Sequence, residues 1–277
     1  MSFNPTYAYT ENEGCKLHYW YTGMGPLLVF IPGGSGHGAQ YNNIMKILSN
    51  TYTCCTFDRR GMSSSTVDGP KKLLSPPNQA RDIVAIIKAL GFEKASIFAN
   101  SLGGIFGFQL AVDHPEMIDH LICHETPTAM IIPDGSERFE RILLLQQAYR
   151  ESGLLGASQL YSPKFPGYDD PGLEKPESPP TENLVNFFEN EFLIGSIYNP
   201  DWRRVVGNGV SVGVLAGKRS GDSFFARSTV EQAEILGCLR MIVPGHHAGF
   251  EVEAEEFAPA LTDMINRLEE KRASSLN

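Results

Sequence analysis

The chain has 277 residues, enough for one large α/β domain with an inserted segment and an ample apolar core. Its 23 basic and 32 acidic residues leave a net charge of −9 without a concentrated basic patch, which argues against nucleic acid as a partner. No window approaches the roughly 20 apolar residues that cross a bilayer, and the N-terminal residues lack the pattern of a secretory signal, so we expect a cytoplasmic protein without membrane association.

Short apolar runs alternate with helical patterns through the first half of the chain. The continuous apolar run over 27–31 is typical of a strand that is buried on both faces of a parallel sheet. Strands that alternate with helices pair in parallel through right-handed crossovers. The predicted elements are, in chain order, strands over 16–21 and 27–31, a helix over 40–48, a strand over 52–57, a helix over 78–90, a strand over 95–100, a helix over 102–113 and a strand over 118–125.

The pattern changes after residue 126. Helical stretches over 139–149 and 183–192 flank a loop rich in proline and glycine over 163–180, and no strand alternation is visible between them. We therefore predict an α/β domain with a mostly parallel central sheet flanked by helices, formed by residues 1–126 and 210–277, with residues 127–209 inserted as a helical lid. The α/β pattern resumes with a strand over 210–216, a helix over 228–236, a strand over 239–243 and a helix over 253–270.

A serine lies at the junction between a predicted strand and a predicted helix. The strand over 95–100 leads into Ser101, with the small residues Ala99 and Gly103 on either side. A sharp strand-to-helix turn strains the backbone of its central serine and requires small neighbours, and it points the hydroxyl out of the sheet. The turn also aims the N–H of Leu102, at the positive end of the helix, at a developing oxyanion. We predict Ser101 as a nucleophile and Leu102 as an oxyanion donor.

A glycine-rich loop follows the strand over 27–31. Its sequence, Pro32-Gly33-Gly34-Ser35-Gly36, can turn tightly and approach a ligand closely, and we predict the N–H of Gly34 as the second oxyanion donor. Ser35 and His37 are candidate substrate contacts in the same loop. No Lys-Ser/Thr pair follows the glycines and no acidic residue lies at dinucleotide spacing, so we expect no cofactor. We expect Asp58-Arg59-Arg60-Gly61 to pair its charges and hold the loop beside the serine.

The five cysteines are odd in number and show no metal-like spacing. Most of them lie in apolar, strand-like runs. We therefore read them as reduced, buried thiols and predict no metal site.

A serine nucleophile needs a histidine to take its proton and an acid to orient that histidine. His246 and His247 follow the last predicted strand, from which a loop can fold back over Ser101. Glu125 ends the strand after the serine's helix, and Asp222 follows the next core strand. We favour Glu125, because a carboxylate that follows an apolar run is drawn out of water unless it is paired; Asp222 remains the alternative.

Several of these motifs together resemble the α/β-hydrolase superfamily, over nearly the whole chain outside the lid. They are the strand order, the glycine-rich turn, the serine elbow, Asp58-Arg59-Arg60-Gly61-Met62-Ser63 and His247-Ala248-Gly249-Phe250. Within that superfamily, Phe57–Ser63 and Cys123–Thr128 resemble the fungal zearalenone lactonases. The resemblance implies Glu125 as the acid, His247 rather than His246 as the base, and opening of a macrocyclic lactone without a cofactor.

The function that we expect is hydrolysis of a bulky apolar carboxylic ester or lactone through an acyl-enzyme. An aminopeptidase that releases proline, with Glu189 and Glu191 gripping the amino terminus, and a receptor without turnover are the alternatives. The expected partner is a small apolar substrate, and association into a homodimer stays open. The predicted aromatic walls of the pocket are Phe188, Phe192, Tyr198 and Trp202. Tyr198 and Trp202 fit the interior of the lid equally well.

Overall fold

A computed structural model describes residues 3–161, 165–168, 170–171 and 174–275. Within these residues nine strands form one sheet, and every residue of its three central strands is buried. The apolar run over 27–31 predicts this burial on both faces. The strands are β1 (Thr6–Asn12), β2 (Cys15–Thr22), β3 (Leu27–Ile31), β4 (Thr53–Phe57), β5 (Thr66–Val67), β6 (Ala95–Asn100), β7 (Ile118–His124), β8 (Val212–Gly217) and β9 (Leu239–Val243).

The sheet order is β1-β2-β4-β3-β6-β7-β8-β9, with β5 paired to β2. All pairs from β4 to β9 are parallel, so their carboxyl ends meet at one edge of the sheet. The strands β1 and β2 form an antiparallel hairpin whose turn residues, Glu13 and Gly14, have φ values of 45° and 70°. Two positive φ values fit the tight hairpin turn that matches strand twist. The order confirms the predicted α/β fold with a mostly parallel sheet.

Helices cover both faces of the sheet, and an apolar core lies on each. The larger core packs the helices over Pro76–Ala89 and Leu102–Asp113 against the sheet and extends into the segment between β7 and β8. The second core lies under the helices over Asn42–Leu48 and Ala254–Ser275. None of the described helices combines the length and the apolarity needed to span a membrane. The helices are α1 (Asn42–Leu48), α2 (Pro76–Ala89), α3 (Leu102–Asp113), α4 (Gly135–Tyr161), α5 (Thr181–Asn186), α6 (Phe192–Ile197), α7 (Trp202–Gly207), α8 (Phe224–Leu236), α9 (Gly249–Val252) and α10 (Ala254–Ser275).

The segment between β7 and β8 is built differently from the rest of the chain. Its described residues form the helices α4 to α7 and no strand. The helix predicted over 139–149 extends in both directions and kinks at Gly153, whose φ is 60°. The helix predicted over 183–192 consists of α5, a π-helical turn over Phe187–Glu191 and the start of α6. Within the predicted loop over 163–180, residues 163, 164, 169, 172 and 173 lie outside the described part of the chain.

Candidate active site

Ser101 lies at the carboxyl edge of the sheet, between β6 and α3, in a strained conformation. Its φ and ψ are 53° and −129°, which an L-residue rarely adopts. Its N–H donates to the carbonyl of His124 on β7 (N···O 2.9 Å), so the sheet ladder holds the turn. A Cβ at Gly103 would clash with the carbonyl oxygen of Ile31, which explains why this position is glycine. The N–H of Leu102, in the first turn of α3, has no acceptor within the helix.

Glu125 and His247 are hydrogen-bonded at the same edge of the sheet. The distance from His247 Nδ1 to Glu125 Oε2 is 2.7 Å, and Glu125 Oε1 accepts the N–H of Gly217 at 2.7 Å. Glu125 is fully buried. Burial alone would raise the pKa of Glu125, but its interactions with His124 and His247 hold that pKa below the ordinary value. A carboxylate can only accept, so His247 donates from Nδ1 and leaves Nε2 as its free acceptor.

The two alternatives from the sequence occupy other positions. The Asp222 side chain is 94% exposed and lies 3.6 Å from the Arg227 guanidinium. The ring of His246 is buried; its Nδ1 accepts the N–H of Ala248 at 3.0 Å, and its centroid lies 4.4 Å from that of Tyr168. Burial lowers the pKa of His246 to about 4, so this ring is neutral near pH 7. Neither Asp222 nor His246 takes part in the hydrogen bond between Glu125 and His247.

The predicted oxyanion loop is anchored by a buried arginine. Arg59 Nε donates to the carbonyl of Gly33 at 2.9 Å and Nη2 donates to the carbonyl of Gly34 at 3.3 Å. The same guanidinium forms two hydrogen bonds to Glu191, at 3.1 and 2.7 Å, in the π-helical turn between α5 and α6. The sequence indicates charge pairing by this arginine, but nothing in its spacing identifies Glu191 as the partner.

Two cavities meet at Ser101. The inner cavity measures about 70 Å³ and the outer one about 320 Å³. Phe192 lines the inner cavity, whereas Ser35, His37 and Phe188 line the outer one. Both cavities are therefore open to the predicted nucleophile. The residues that line both are Gly34, Ser101, Tyr161, Phe165, Phe187 and His247.

Two aromatic rings that are not among the predicted pocket walls lie against the histidine. The ring centroid of His247 lies 4.3 Å from that of Phe225 and 5.3 Å from that of Phe165. Phe187 presses on Gly34, where an added Cβ would lie 2.7 Å from its ring. The sequence shows that these residues are aromatic. It does not show which of them face the carboxyl edge of the sheet.

Tyr198 and Trp202 are not placed at either cavity. The Tyr198 hydroxyl bonds to Gln109 Oε1, and the Trp202 ring packs edge-on against Phe108 at a centroid distance of 5.0 Å. Both contacts lie on α3. These contacts favour the interior of the inserted segment over a pocket wall as the place of Tyr198 and Trp202.

One group of described side chains has ligand atoms close enough for a metal ion: Asp119, His120 and Glu269. It lies at the amino end of β7, whereas Ser101 lies at the carboxyl edge. Lys94 and Arg272 form ion pairs with Asp119, and Arg272 also pairs with Glu269. These cations compensate the carboxylates, so the group is a surface ion-pair network.

Comparison with known proteins gives several matches. A family model for the alpha/beta hydrolase fold matches residues 26–154. The chain is 24% identical to the uncharacterized hydrolase YraK of Bacillus subtilis over 92% of this chain and 94% of that protein. It is 34% identical to epoxide hydrolase 1 of Caenorhabditis elegans over 43% of this chain and 30% of that protein. It is 32% identical to a zearalenone hydrolase of Cladophialophora bantiana over 42% of this chain and 45% of that protein.

The chain thus spans less than half the length of the last two relatives. Among solved structures, a thermophilic esterase from Thermogutta terrifontis is similar with a TM-score of 0.73 and 18% sequence identity, covering 96% of this chain and 99% of that one.

The sheet order and the family match over residues 26–154 together show the α/β-hydrolase fold, as the resemblance of the motifs implied.

Proposed function

We propose that this protein is a cofactor-independent serine hydrolase that cleaves an apolar carboxylic ester or lactone through an acyl-enzyme. The observation that carries the proposal is the hydrogen bond between His247 and Glu125, with His247 lining the same cavities as a serine of strained backbone geometry. Nucleophile, base and orienting acid are the three parts that such a mechanism requires.

In the first half-reaction, Ser101 Oγ attacks the carbonyl carbon and its proton passes to His247 Nε2. The N–H groups of Leu102 and Gly34 stabilise the negative charge that forms on the carbonyl oxygen. Collapse of the tetrahedral intermediate breaks the bond to the alcohol oxygen, which takes the proton back from His247. Glu125 keeps the imidazole in the required tautomer and stabilises its charged form.

In the second half-reaction, water gives a proton to His247 and attacks the ester formed with Ser101. Cleavage then regenerates the serine hydroxyl and releases a carboxylic acid. For a lactone, the alcohol and the acid stay joined in one product, a hydroxy acid.

The aromatic side chains that line the two cavities at Ser101 support a bulky apolar substrate. Phe187 and Phe165 line both cavities, and Phe192 and Phe225 complete the inner one. The similarity to a zearalenone hydrolase supports a macrocyclic resorcylic lactone as the specific substrate.

The test is a panel of aryl esters and macrocyclic lactones, zearalenone included, assayed with the wild type and with Ser101→Ala. We expect turnover by the wild type and its loss in Ser101→Ala, with an unchanged unfolding temperature, because the substitution removes one oxygen from a cavity wall. Full activity in Ser101→Ala would refute the mechanism. Hydrolysis of aryl esters but not of zearalenone would refute only the specific substrate.

Two other hydrolytic activities have less support. For an aminopeptidase, Glu191 is occupied by Arg59, and Glu189 contacts the Tyr149 hydroxyl at 3.4 Å rather than lining a cavity at Ser101. Release of the aryl amine from a proline aryl amide would favour that activity. An epoxide hydrolase of this architecture needs a carboxylate nucleophile at the position of Ser101.

A further inference from the structure

The outer cavity has polar side chains besides its aromatic wall. Ser35, His37, Gln40 and Glu251 line it together with Ser101. His37 is only 7% exposed, and within the described part of the chain neither of its ring nitrogens has a hydrogen-bond partner of good geometry. Buried polar atoms nearly always have partners, and an unsatisfied one requires an explanation. A bound ligand would supply the missing partner.

The backbone around His37 is held firmly. Gln40 Nε2 donates to the carbonyl of His37 at 2.7 Å, and the N–H of Gly38 donates to the buried carboxylate of Asp58 at 3.1 Å. Burial lowers the pKa of His37, so its ring is neutral near pH 7. A neutral imidazole offers one donor and one acceptor. This loop therefore holds, beside the cavity, a buried imidazole whose two ring nitrogens can offer one donor and one acceptor.

Glu251 adds a second polar group to the same wall. It lies in α9, four residues after His247, and its Oε1 accepts the N–H of Glu177 at 2.6 Å. Burial raises the pKa of Glu251 to about 7, so both the protonated and the ionised carboxyl are populated near neutral pH. Such a carboxyl can accept a hydrogen bond or donate one.

We propose that His37 and Glu251 form a subsite for a hydroxyl group of the substrate, while the ester carbonyl lies at Ser101. This rests on the proposed function and narrows its substrate class to apolar esters and lactones that also carry a hydroxyl group. A hydroxyl both donates and accepts, as a neutral imidazole does, so the pair is complementary. A substrate without the hydroxyl would leave the buried nitrogens of His37 unpaired, and sites of this kind discriminate against such analogues.

The experiment compares two matched substrates, 3-hydroxyphenyl butanoate and phenyl butanoate. We expect the wild type to favour the hydroxylated ester about tenfold in kcat/KM, the factor that corresponds to one net hydrogen bond. His37→Phe keeps a ring of similar size without nitrogens and should bring the ratio to about one. The matched control is Leu184→Ala, an apolar residue of the same cavity, which should keep the wild-type ratio. A ratio that is equal in the wild type and in His37→Phe would overturn the proposal.

A binding measurement separates this proposal from the proposed function and does not depend on the folding of the His37 variant. In Ser101→Ala, 3-hydroxyphenyl butanoate should shift the NMR resonances of the His37 ring nitrogens, and phenyl butanoate should not. If the wild type hydrolyses both esters and the His37 resonances respond to neither, the subsite fails while the hydrolase stands. If neither ester is hydrolysed but the shift is seen, the ester hydrolase fails while the subsite stands.

A third probe addresses a cationic ligand. The carboxyl of Glu251 could also bind an ammonium group, so 3-(aminomethyl)phenyl butanoate is assayed as well. A preference for this ester over the hydroxylated one, lost in Glu251→Gln, would overturn the assignment of a hydroxyl subsite.

Discussion

At the scale of single residues, backbone strain coincides with the proposed chemistry. Ser101 and Glu125 have φ values of 53° and 50°, although neither is a glycine. Each directly follows a strand at the carboxyl edge of the sheet, where the next residue must leave the ladder abruptly. Conformations of this kind cost about 1–3 kcal/mol each and persist only where the surroundings enforce them.

Gly103 tests how tightly the serine turn is enforced. Gly103→Ala should destabilise the protein by about 1–3 kcal/mol, because its Cβ meets the backbone carbonyl of Ile31, which cannot move without disturbing β3. Denaturant unfolding measures the change. The matched control is Gly207→Ala at the end of α7, where no atom lies within 4 Å of an added Cβ and stability should hold or rise slightly. Equal effects at both positions would contradict a rigid turn.

The two candidate acids can be separated by isosteric substitution. Glu125→Gln should lower kcat about 10⁴-fold, the loss typical of a triad acid replaced by its amide, because the tautomer of His247 is no longer enforced. Asp222→Asn should keep the wild-type kcat, since that side chain is exposed and pairs with Arg227. Steady-state kinetics with a simple aryl ester measures both. The reverse pattern would assign the acid to Asp222.

At the scale of elements, one ion pair ties the inserted segment to the sheet edge. Arg59 and Glu191 are 0% and 4% exposed, so their charges are fully desolvated and each depends on the other. Because the same guanidinium holds the carbonyls of Gly33 and Gly34, the position of the π-helical turn is coupled to the position of the predicted oxyanion donor.

This coupling predicts different outcomes for stability and for rate. Glu191→Leu should cost about 3–5 kcal/mol, because Arg59 is left buried without a counter-charge. Adding Arg59→Met should restore much of that stability but leave kcat at least about tenfold below the wild type, because the glycine loop loses its anchor. Unfolding curves and kinetics on the same proteins separate the two effects.

The exposed pair between Arg267 and Asp263 provides the control. Asp263→Asn should change the stability by less than about 1 kcal/mol. A double variant with wild-type kcat would contradict the positioning role of Arg59.

Most of the elements that the sequence predicts best are uniformly buried. The bounds of β3, β6, β9 and α3 match their predictions. Of these, β3, β6 and α3 are mainly apolar runs between glycine, proline or polar residues, whereas β9 contains Arg240 and alternates in burial. The strand β1 was not predicted, since it lies at the sheet edge with both faces partly in water and has no apolar alternation.

Side-chain chemistry at the site was predictable only in part. Glu125 and the pair His246 and His247 could be selected as candidates because their residue types and positions after strands are informative. The choice of His247 came from the resemblance to the fungal zearalenone lactonases. The contact of Glu191 with Arg59 and the orientation of Phe187 could not, because they depend on how the inserted segment lies over the sheet. No local pattern in the sequence encodes that packing.

At the scale of the whole molecule, burial of histidines makes stability depend on pH. His124 is fully buried, its Nδ1 bonds to Asn100 Oδ1 at 2.8 Å, and burial lowers its pKa from 6.5 to about 4. Between pH 6.5 and 4 the unfolded chain therefore binds a proton that the folded protein does not. The free energy of unfolding must fall as the pH falls through this window.

His124→Gln should flatten that dependence, by up to about 3 kcal/mol between pH 6.5 and 4. Glu251 acts in the opposite direction, since its raised pKa favours the folded state as the pH falls below about 7, but it is present in both proteins and cancels in the comparison. Urea unfolding at a series of pH values measures the slopes. A slope in His124→Gln equal to that of the wild type would contradict this role of the buried histidine.

The order of the strands also sets when a newly made polypeptide can gain activity. β6 and β7 lie in the middle of the sheet and deliver the serine and the carboxylate, whereas the histidine arrives 122 positions after that carboxylate, behind the outermost strand β9. A nascent chain that has left the ribosome only as far as β8 holds the alcohol and the acid without an imidazole to join them. Esterolysis during synthesis should begin only after β9 has docked and its loop has closed.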